Sequence, residues 1–291
     1  MPRLSMIPTF AREVFGQRTL PREPEPALVM DDPEEVAAYS EAGRIDGVMA
    51  AAYLYHSARI SQVIQGCSQV IDLGCGPATQ LAQVAQLNPE ISFLGMDLSS
   101  PMLESAESHV RSLGLTNVQF RLGDITRLES VADQSADAVI STMALHHLPS
   151  MNHLRACFQE ISRVLRPGGA LYLVDFGRLK SLRSVLFFAY MNAKHQPHLF
   201  SLDYERSLRA AFLLEDFQSM ATECLPRQAK VYSTFKMPIL VLIKSPDKPL
   251  PDMLKARLKE MRQTLPSRYR HDLEDIRMLF KLGGLGNDPF R

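Results

Sequence analysis

Several things are missing from this chain. It has no net charge: 32 lysines and arginines face 32 aspartates and glutamates. There is thus no global electrostatic reason to expect a nucleic-acid or membrane-surface partner. Cysteine is sparse, and Cys67, Cys75, Cys157 and Cys224 include no C-x-x-C pair. Neither a disulfide framework nor a zinc knuckle fits that spacing, and buried thiols in a reducing compartment are expected. No apolar run is long enough to span a bilayer; the longest, residues 237–243, reads as a strand. The N-terminus lacks an apolar signal-peptide core. Arg3, Arg12 and Arg18 against the single acid Glu13 hint at a transit peptide, but a flexible cytosolic tail and a cytoplasmic location are the expectation. No internal repeat or low-complexity tract stands out.

What is present reads as alternating strands and helices. Residues 1–34 form an extension in which Pro21, Pro24 and Pro26 interrupt any helix. From Pro33 the pattern turns helical, with Ile45, Val48, Met49, Ala52 and Tyr55 on one face. Residues 69–73 are a first strand. The next helix turns Leu81, Val84 and Ala85 inward and stops at Asn88-Pro89. Residues 91–98 are a second strand. Ser100 caps a helix that has Pro101 at its first position, buries Met102, Leu103, Ala106, Val110 and Leu113, and stops at Gly114. Strands at 118–122 and 136–141 follow. A helix over 152–165 buries Leu154, Phe158, Ile161 and Leu165 and ends at Pro167-Gly168-Gly169, before a strand at 170–176.

Further helices are expected over 203–212 and 215–224, then a hairpin of 230–234 with 237–243. Nearly all-apolar strands fit a sheet covered on both faces. The fold class is α/β, a parallel, doubly wound sheet. Three parts are expected: an extension (1–34), the main domain (35–245, with its core at 69–176 and a lid or substrate segment at 178–224), and a charged helical tail (246–291).

The strongest chemical signal is Val70-Ile71-Asp72-Leu73-Gly74-Cys75-Gly76-Pro77, a strand running into a glycine turn that opens a helix. Glycines let the backbone approach a ligand, and ligands of open α/β sheets bind beyond the carboxyl ends of the strands. Three details choose among cofactors. Asp72 would repel a dinucleotide's pyrophosphate but attract an ammonium and a sulfonium. The third glycine of G-x-G-x-x-G is absent, since Thr79 stands there. Asp97, at the end of the second strand, can take both ribose hydroxyls.

With these residues in hand, the sequence resembles the class I S-adenosylmethionine-dependent methyltransferases, particularly a small-molecule, quinone-biosynthesis-like group. VIDLGCGPATQLA, FLGMDLSSPML, FRLGDI, DAVISTMALHHL and ISRVLRPGGALYLVDF occur in the family's order over residues 69–176. The resemblance implies a seven-stranded, mostly parallel, Rossmann-like sheet whose last strand is antiparallel, with helical additions at both ends. It implies S-adenosylmethionine as cofactor. Asp72, Gly74, Cys75 and Gly76 would surround its methionine end, and Asp97 its ribose. Leu98 and Met102 would lie beside the adenine, Asp124 and Ile125 at its edge, and Thr142 and Met143 near the sulfonium. Asp124 after Gly123 equally suits a turn-forming aspartate. Pro167-Gly168-Gly169 would be a structural turn.

Methyl transfer from a sulfonium is an in-line displacement that needs alignment and exclusion of water. A base is needed only where the acceptor must lose a proton. His146 is the candidate, after the fourth strand and beside His147; alternatively it only shapes that loop. His195 and His198 lack a nearby acid or cysteine to complete a metal site, so no metal is expected. Segments 39–55 and 182–191 are apolar with some aromatics and suit a small hydrophobic or aromatic acceptor, if they do more than pack on the sheet. Two alternatives stay open: a protein or RNA acceptor served by the basic tail, and a non-catalytic cofactor-binding assembly factor.

Overall fold

The computed structural model describes residues 4–26, 31–43 and 47–291. Arg3 and Ile45, both drawn into the sequence reading, lie outside these. Helices α1 (Ile7–Phe15), α2 (Pro33–Ala42) and α3 (Ala50–Ile64) precede strand β1 (Gln69–Leu73). There follow α4 (Thr79–Leu87), β2 (Ser92–Asp97), α5 (Ser100–Ser112), β3 (Val118–Leu122), β4 (Ala136–Thr142), α6 (Met151–Val164) and β5 (Leu165–Phe176). The remainder is α7 (Leu182–Tyr190), α8 (His198–Ala210), α9 (Leu214–Cys224), β6 (Lys230–Ser233), β7 (Leu240–Lys244), α10 (Asp252–Thr264) and α11 (Ser267–Leu282).

The strands form one sheet in the order β3-β2-β1-β4-β5-β7-β6. The first five are parallel, and β7 runs antiparallel between β5 and β6. This is the doubly wound, seven-stranded α/β sheet expected. Side chains alternate across it. Val70, Phe93, Ile140, Tyr172 and Val174 share one core with α3, α4, α5 and α11. Ile71, Leu73, Val139, Leu171 and Leu173 share the other with α6 and α9. The strand order reverses between β1 and β4, which opens a crevice above their carboxyl ends.

The local differences from the sequence pattern have identifiable causes. The helical run from Pro33 is two helices. Asp32 caps α2 by accepting from the Glu34 and Glu35 amides, and Gly43 ends it, so Val48 and Met49 precede α3. Ser99, not Ser100, caps α5: its hydroxyl accepts from the Met102 amide at 3.2 Å. Leu113 stays 41% exposed, because α5 ends there and Gly114 turns the chain away at φ +66°. Strand β3 is at the sheet edge and largely exposed, so two-sided coverage fails there. Pro167-Gly168-Gly169 does not end α6. Strand β5 begins at Leu165, and the three residues lie within it, where its pairing with β4 shifts register between Ala136 and Ala138.

Both terminal segments pack on the domain. In place of a flexible tail, Glu13 is buried and accepts from the Lys180 amide at 2.9 Å. The Thr19 and Leu20 amides donate to the Lys180 carbonyl, and Arg209 pairs with Glu23. At the other end, α11 lies on α3, with Phe280 stacked on Tyr55 at 5.6 Å. Arg59, only 2% exposed, donates to the carbonyls of Gly286 and Asn287 at 2.8 and 2.9 Å. Amphipathic spacing hides such burial in a segment as polar as α11, where Tyr269, Leu273, Leu279 and Phe280 turn inward. No helix among the described residues is long and apolar enough to cross a membrane.

Candidate active site

The turn after β1 is held by its glycines. Gly74 has φ +70°, and a Cβ there would sit 2.4 Å from the Ala144 Cβ, so this glycine serves a close approach to the loop after β4. Gly76 has φ +52° and nothing near its missing Cβ, so its face is open. Asp97 ties the turn to β2: its Oδ2 accepts from the Gly76 amide at 2.8 Å and its Oδ1 from the Ser99 amide at 3.0 Å. Each carboxylate oxygen keeps a further lone pair.

A cavity of about 210 Å³ opens above these strand ends. Gly74, Cys75, Gly76, Asp97, Leu98, Met102, Asp124, Ile125, Thr142 and Met143 all line it. Ten of the eleven residues expected around the cofactor are therefore gathered at one cavity. The eleventh, Asp72, lies beneath the turn, 2% exposed and not on the wall. Its Oδ1 has no hydrogen-bond partner. Burial, and secondarily the charge of Asp97, push its carboxyl up to about 8. A buried acid with an orphaned oxygen is what a cationic ligand above it would relieve. Open Gly76, the two free lone-pair directions of Asp97 and this orphaned acid together fit a ligand carrying a ribose and positive charge. Asp124 also forms the local turn suggested for it, accepting from the Thr126 amide and hydroxyl at 2.8 and 2.7 Å. Burial pushes the Cys75 thiol up, which argues against a nucleophile.

A second cavity of about 190 Å³ adjoins the first, and Tyr39, Met143 and His147 line both. Met143 adopts φ +54°, a strained conformation for a side-chain-bearing residue. It is held by its amide donating to the Val174 carbonyl at 2.9 Å. His146 lines this second cavity and not the first. Its Nδ1–H donates to Asp175 Oδ1 at 2.7 Å, while Asp175 Oδ2 accepts from the Leu145 and His146 amides at 2.5 and 3.1 Å. The carboxylate thus fixes both ring and loop, leaving Nε2 with the lone pair. Burial alone would lower the imidazole pKa. The charge and hydrogen bond of Asp175, with Glu25 and Asp203, outweigh it and raise the pKa above its ordinary value.

Sequence reasoning missed the part played by residues 17–26. Arg22 donates from Nε to the Ala210 carbonyl at 2.7 Å, and from its other nitrogens to the carbonyls of Pro149, His146 and Leu148 at 2.6, 3.1 and 2.5 Å. The guanidinium also covers the Phe212 ring at 3.8 Å. One side chain therefore pins this strap to the histidine loop and to the α8–α9 junction. Three residues on, Glu25 accepts from His147 Nδ1–H at 2.6 Å and from the Ser207 hydroxyl at 2.9 Å, and lies 3.8 Å from His146 Nε2. Burial would raise the Glu25 pKa, but its hydrogen bond and charge interactions with His147 and His146 hold it down at about 2. Glu25, His146 and His147 bring three ligand atoms within 4.8 Å, a group that could hold a metal ion. Here the short Glu25–His147 contact satisfies two of those atoms directly. His195 and His198 are exposed and line neither cavity. The only signal for the strap was the Arg-Glu-Pro-Glu-Pro alternation, which fits an extended segment but names no partner.

Comparison with known proteins agrees with this geometry. Residues 64–199 match the family described as "Methyltransferase domain". Trans-aconitate 2-methyltransferase of Deinococcus radiodurans is 41% identical over 104 residues, covering 36% of each chain. The chain spans between 26% and 36% of the length of the first curated relatives it matches. A crystal structure described as a putative S-adenosyl-L-methionine-dependent methyltransferase of Methanococcus maripaludis shares the fold, at TM-score 0.53 and 20% identity, covering 79% of this chain and 98% of that one. The plantazolicin methyltransferase BpumL, solved with S-adenosylhomocysteine, shares it at TM-score 0.55 and 14% identity, covering 81% and 87%. Residues 64–199 thus resemble a methyltransferase domain, and the sheet has the fold of these solved methyltransferases.

Proposed function

We propose that this protein transfers a methyl group from S-adenosylmethionine to a small acceptor held in the second cavity. The observation that carries this reading is the junction of two cavities at Tyr39, Met143 and His147: one with the cofactor-type turn and Asp97, the other with the Asp175-held His146. When bound, S-adenosylmethionine supplies an electrophilic methyl on a sulfonium. Asp97 would hold the ribose hydroxyls, Gly74 to Gly76 the methionine end from the backbone, and Asp72 the positive charge from below. Leu98, Met102 and Ile125 would cover the adenine, with Asp124 at its edge. Thr142 and Met143 would face the reacting centre.

His146 Nε2 accepts the acceptor's proton, and Asp175 acts as a positioning residue that fixes the tautomer. Phe176, Phe188, Phe200 and Tyr204 exclude water on the acceptor side. Apolar, aromatic walls favour a small hydrophobic acceptor over a nucleic acid, although RNA methyltransferases also occur among the relatives by name. We assign the protein to the cytoplasm on the strength of four unpaired thiols.

The test is incorporation of labelled methyl groups from S-adenosylmethionine into fractionated lysate. Label in the small-molecule fraction, absent with His146→Ala, supports the reading. Label confined to RNA or protein, or none at all, contradicts it.

A further inference from the structure

Three carboxylates that methyl transfer as described does not use line the acceptor cavity: Asp203, Asp272 and Asp275. Helix α8 turns Phe200, Asp203, Tyr204 and Ser207 toward it, at i, i+3, i+4 and i+7. One polygonal wall continues through the rings of Tyr39, Phe200, Tyr204, Phe176 and His146, with neighbouring centroids 5.2 to 6.2 Å apart. Asp203 interrupts this apolar face. Among the described residues no hydrogen bond or ion pair holds its carboxylate. Its surroundings are not neutralising. Burial first, then the negative charge of Glu25, push its carboxyl up to about 6, against the opposing influence of His147 and His146.

No lysine or arginine among the described residues lines the cavity. Arg22 is nearby, but it faces the carbonyls of the histidine loop. Asp272 and Asp275 reach the same cavity from α11 and are engaged by interactions of their own. An anionic acceptor would meet Asp203, with Glu25 close behind, and no lysine or arginine to receive it, and burying an uncompensated charge is costly. A neutral acceptor would leave Asp203 desolvated and unmatched. A cation would be matched twice, by the carboxylate and by the faces of the surrounding rings.

Resting on the methyltransferase reading, we infer that the acceptor is a lipophilic amine, bound as its ammonium by Asp203 against the aromatic wall. His146 Nε2 takes one ammonium proton, which frees the nitrogen lone pair. The new nitrogen–carbon bond forms as the carbon–sulfur bond breaks, and sulfur keeps the bonding pair.

The experiment uses the full chain saturated with S-adenosylhomocysteine and titrated with three isosteric probes: 4-phenylbutylamine, 4-phenylbutanol and 4-phenylbutyrate. Calorimetry is expected to show the amine binding at least tenfold tighter than either of the others. Asp203→Asn removes that preference, and Asp203→Glu keeps it. The wild-type comparison stands without any variant, so misfolding of one does not decide the matter. Butyrate or butanol binding as tightly as the amine, no amine binding, or a preference that survives Asp203→Asn overturns the inference. If S-adenosylhomocysteine is not bound, the methyltransferase reading itself fails. If it is bound and the amine is not preferred, only the acceptor assignment fails.

Discussion

The two cavities that meet at Met143 are built from different kinds of parts. The first is walled mainly by residues at or soon after the ends of β1, β2, β3 and β4, with Tyr39, Tyr53 and His153 added from α2, α3 and α6. The second takes side chains from α1's neighbourhood (Met6), from residues 48–52, from α7, α8 and α11, and from the loop before β7. A site made of strand ends inherits its geometry from the sheet, because the register fixes where each turn emerges. A site made of helix faces from distant segments inherits its geometry from packing, and its chemistry can change without altering the sheet. The first cavity is accordingly the general one and the second the specific one.

Four perturbations separate the two halves. The largest effect is expected at His146. His146→Ala should lower turnover by about 10²- to 10⁴-fold while cofactor affinity stays near wild type. In the wild type, turnover should rise with pH as the imidazole loses its proton, on a limb above the ordinary histidine value because Asp175 raises it. Asp175→Asn removes the largest raising influence and leaves burial, so the limb should move to lower pH. A pH–rate profile reads both.

The second perturbation contrasts two glycines. Gly74→Ala adds a Cβ 2.4 Å from Ala144 Cβ in a left-handed conformation and should cost about 2–4 kcal/mol of stability in a denaturant titration. Gly76→Ala, with open space around it, should cost about 1–2 kcal/mol and act chiefly on cofactor affinity. Equal destabilisation would mean the two glycines do not divide the work as described.

Third, Arg22→Ala removes the clip between the N-terminal strap and the histidine loop. Loss of its hydrogen bonds should lower stability by about 2 kcal/mol. Acceptor KM and the cofactor dissociation constant should both rise, because the carbonyls it holds belong to His146 of the second cavity and to Leu148 and Pro149 of the first. The smallest effect concerns Asp72. With its carboxyl near 8 in the free protein, binding a cation must release that proton at lower pH. Cofactor affinity should therefore weaken by up to about tenfold per unit as pH falls below 8, and Asp72→Asn should flatten the dependence that the ligand's own groups do not account for.

The same contrast explains what could be read before folding. That the glycine turn, Asp97, Asp124, Ile125, Thr142 and Met143 line one cavity was legible, because each lies at or just after the end of a short apolar strand. All seven strands were legible for the same reason. The cap at Ser99 and the bulge at Pro167-Gly168-Gly169 were not, since a pattern fixes an element's existence better than its ends. Arg22, Glu25 and Asp203 were illegible for a deeper reason. Arg22 is 124 residues from His146, and Glu25 is 182 from Ser207, so only tertiary packing brings them together. The helical tail misled in the opposite sense, because its charged face conceals the stripe that packs on α3.

The central claim is that the first cavity holds S-adenosylmethionine through Asp97. It is tested most directly by calorimetric titration of the purified full chain with S-adenosylmethionine and, separately, NADH, alongside Asp97→Ala. The account predicts micromolar binding of the sulfonium cofactor, weakened at least 100-fold in Asp97→Ala, and none of NADH. Folded protein that does not bind S-adenosylmethionine, or binds it equally well without the Asp97 carboxylate, would contradict it.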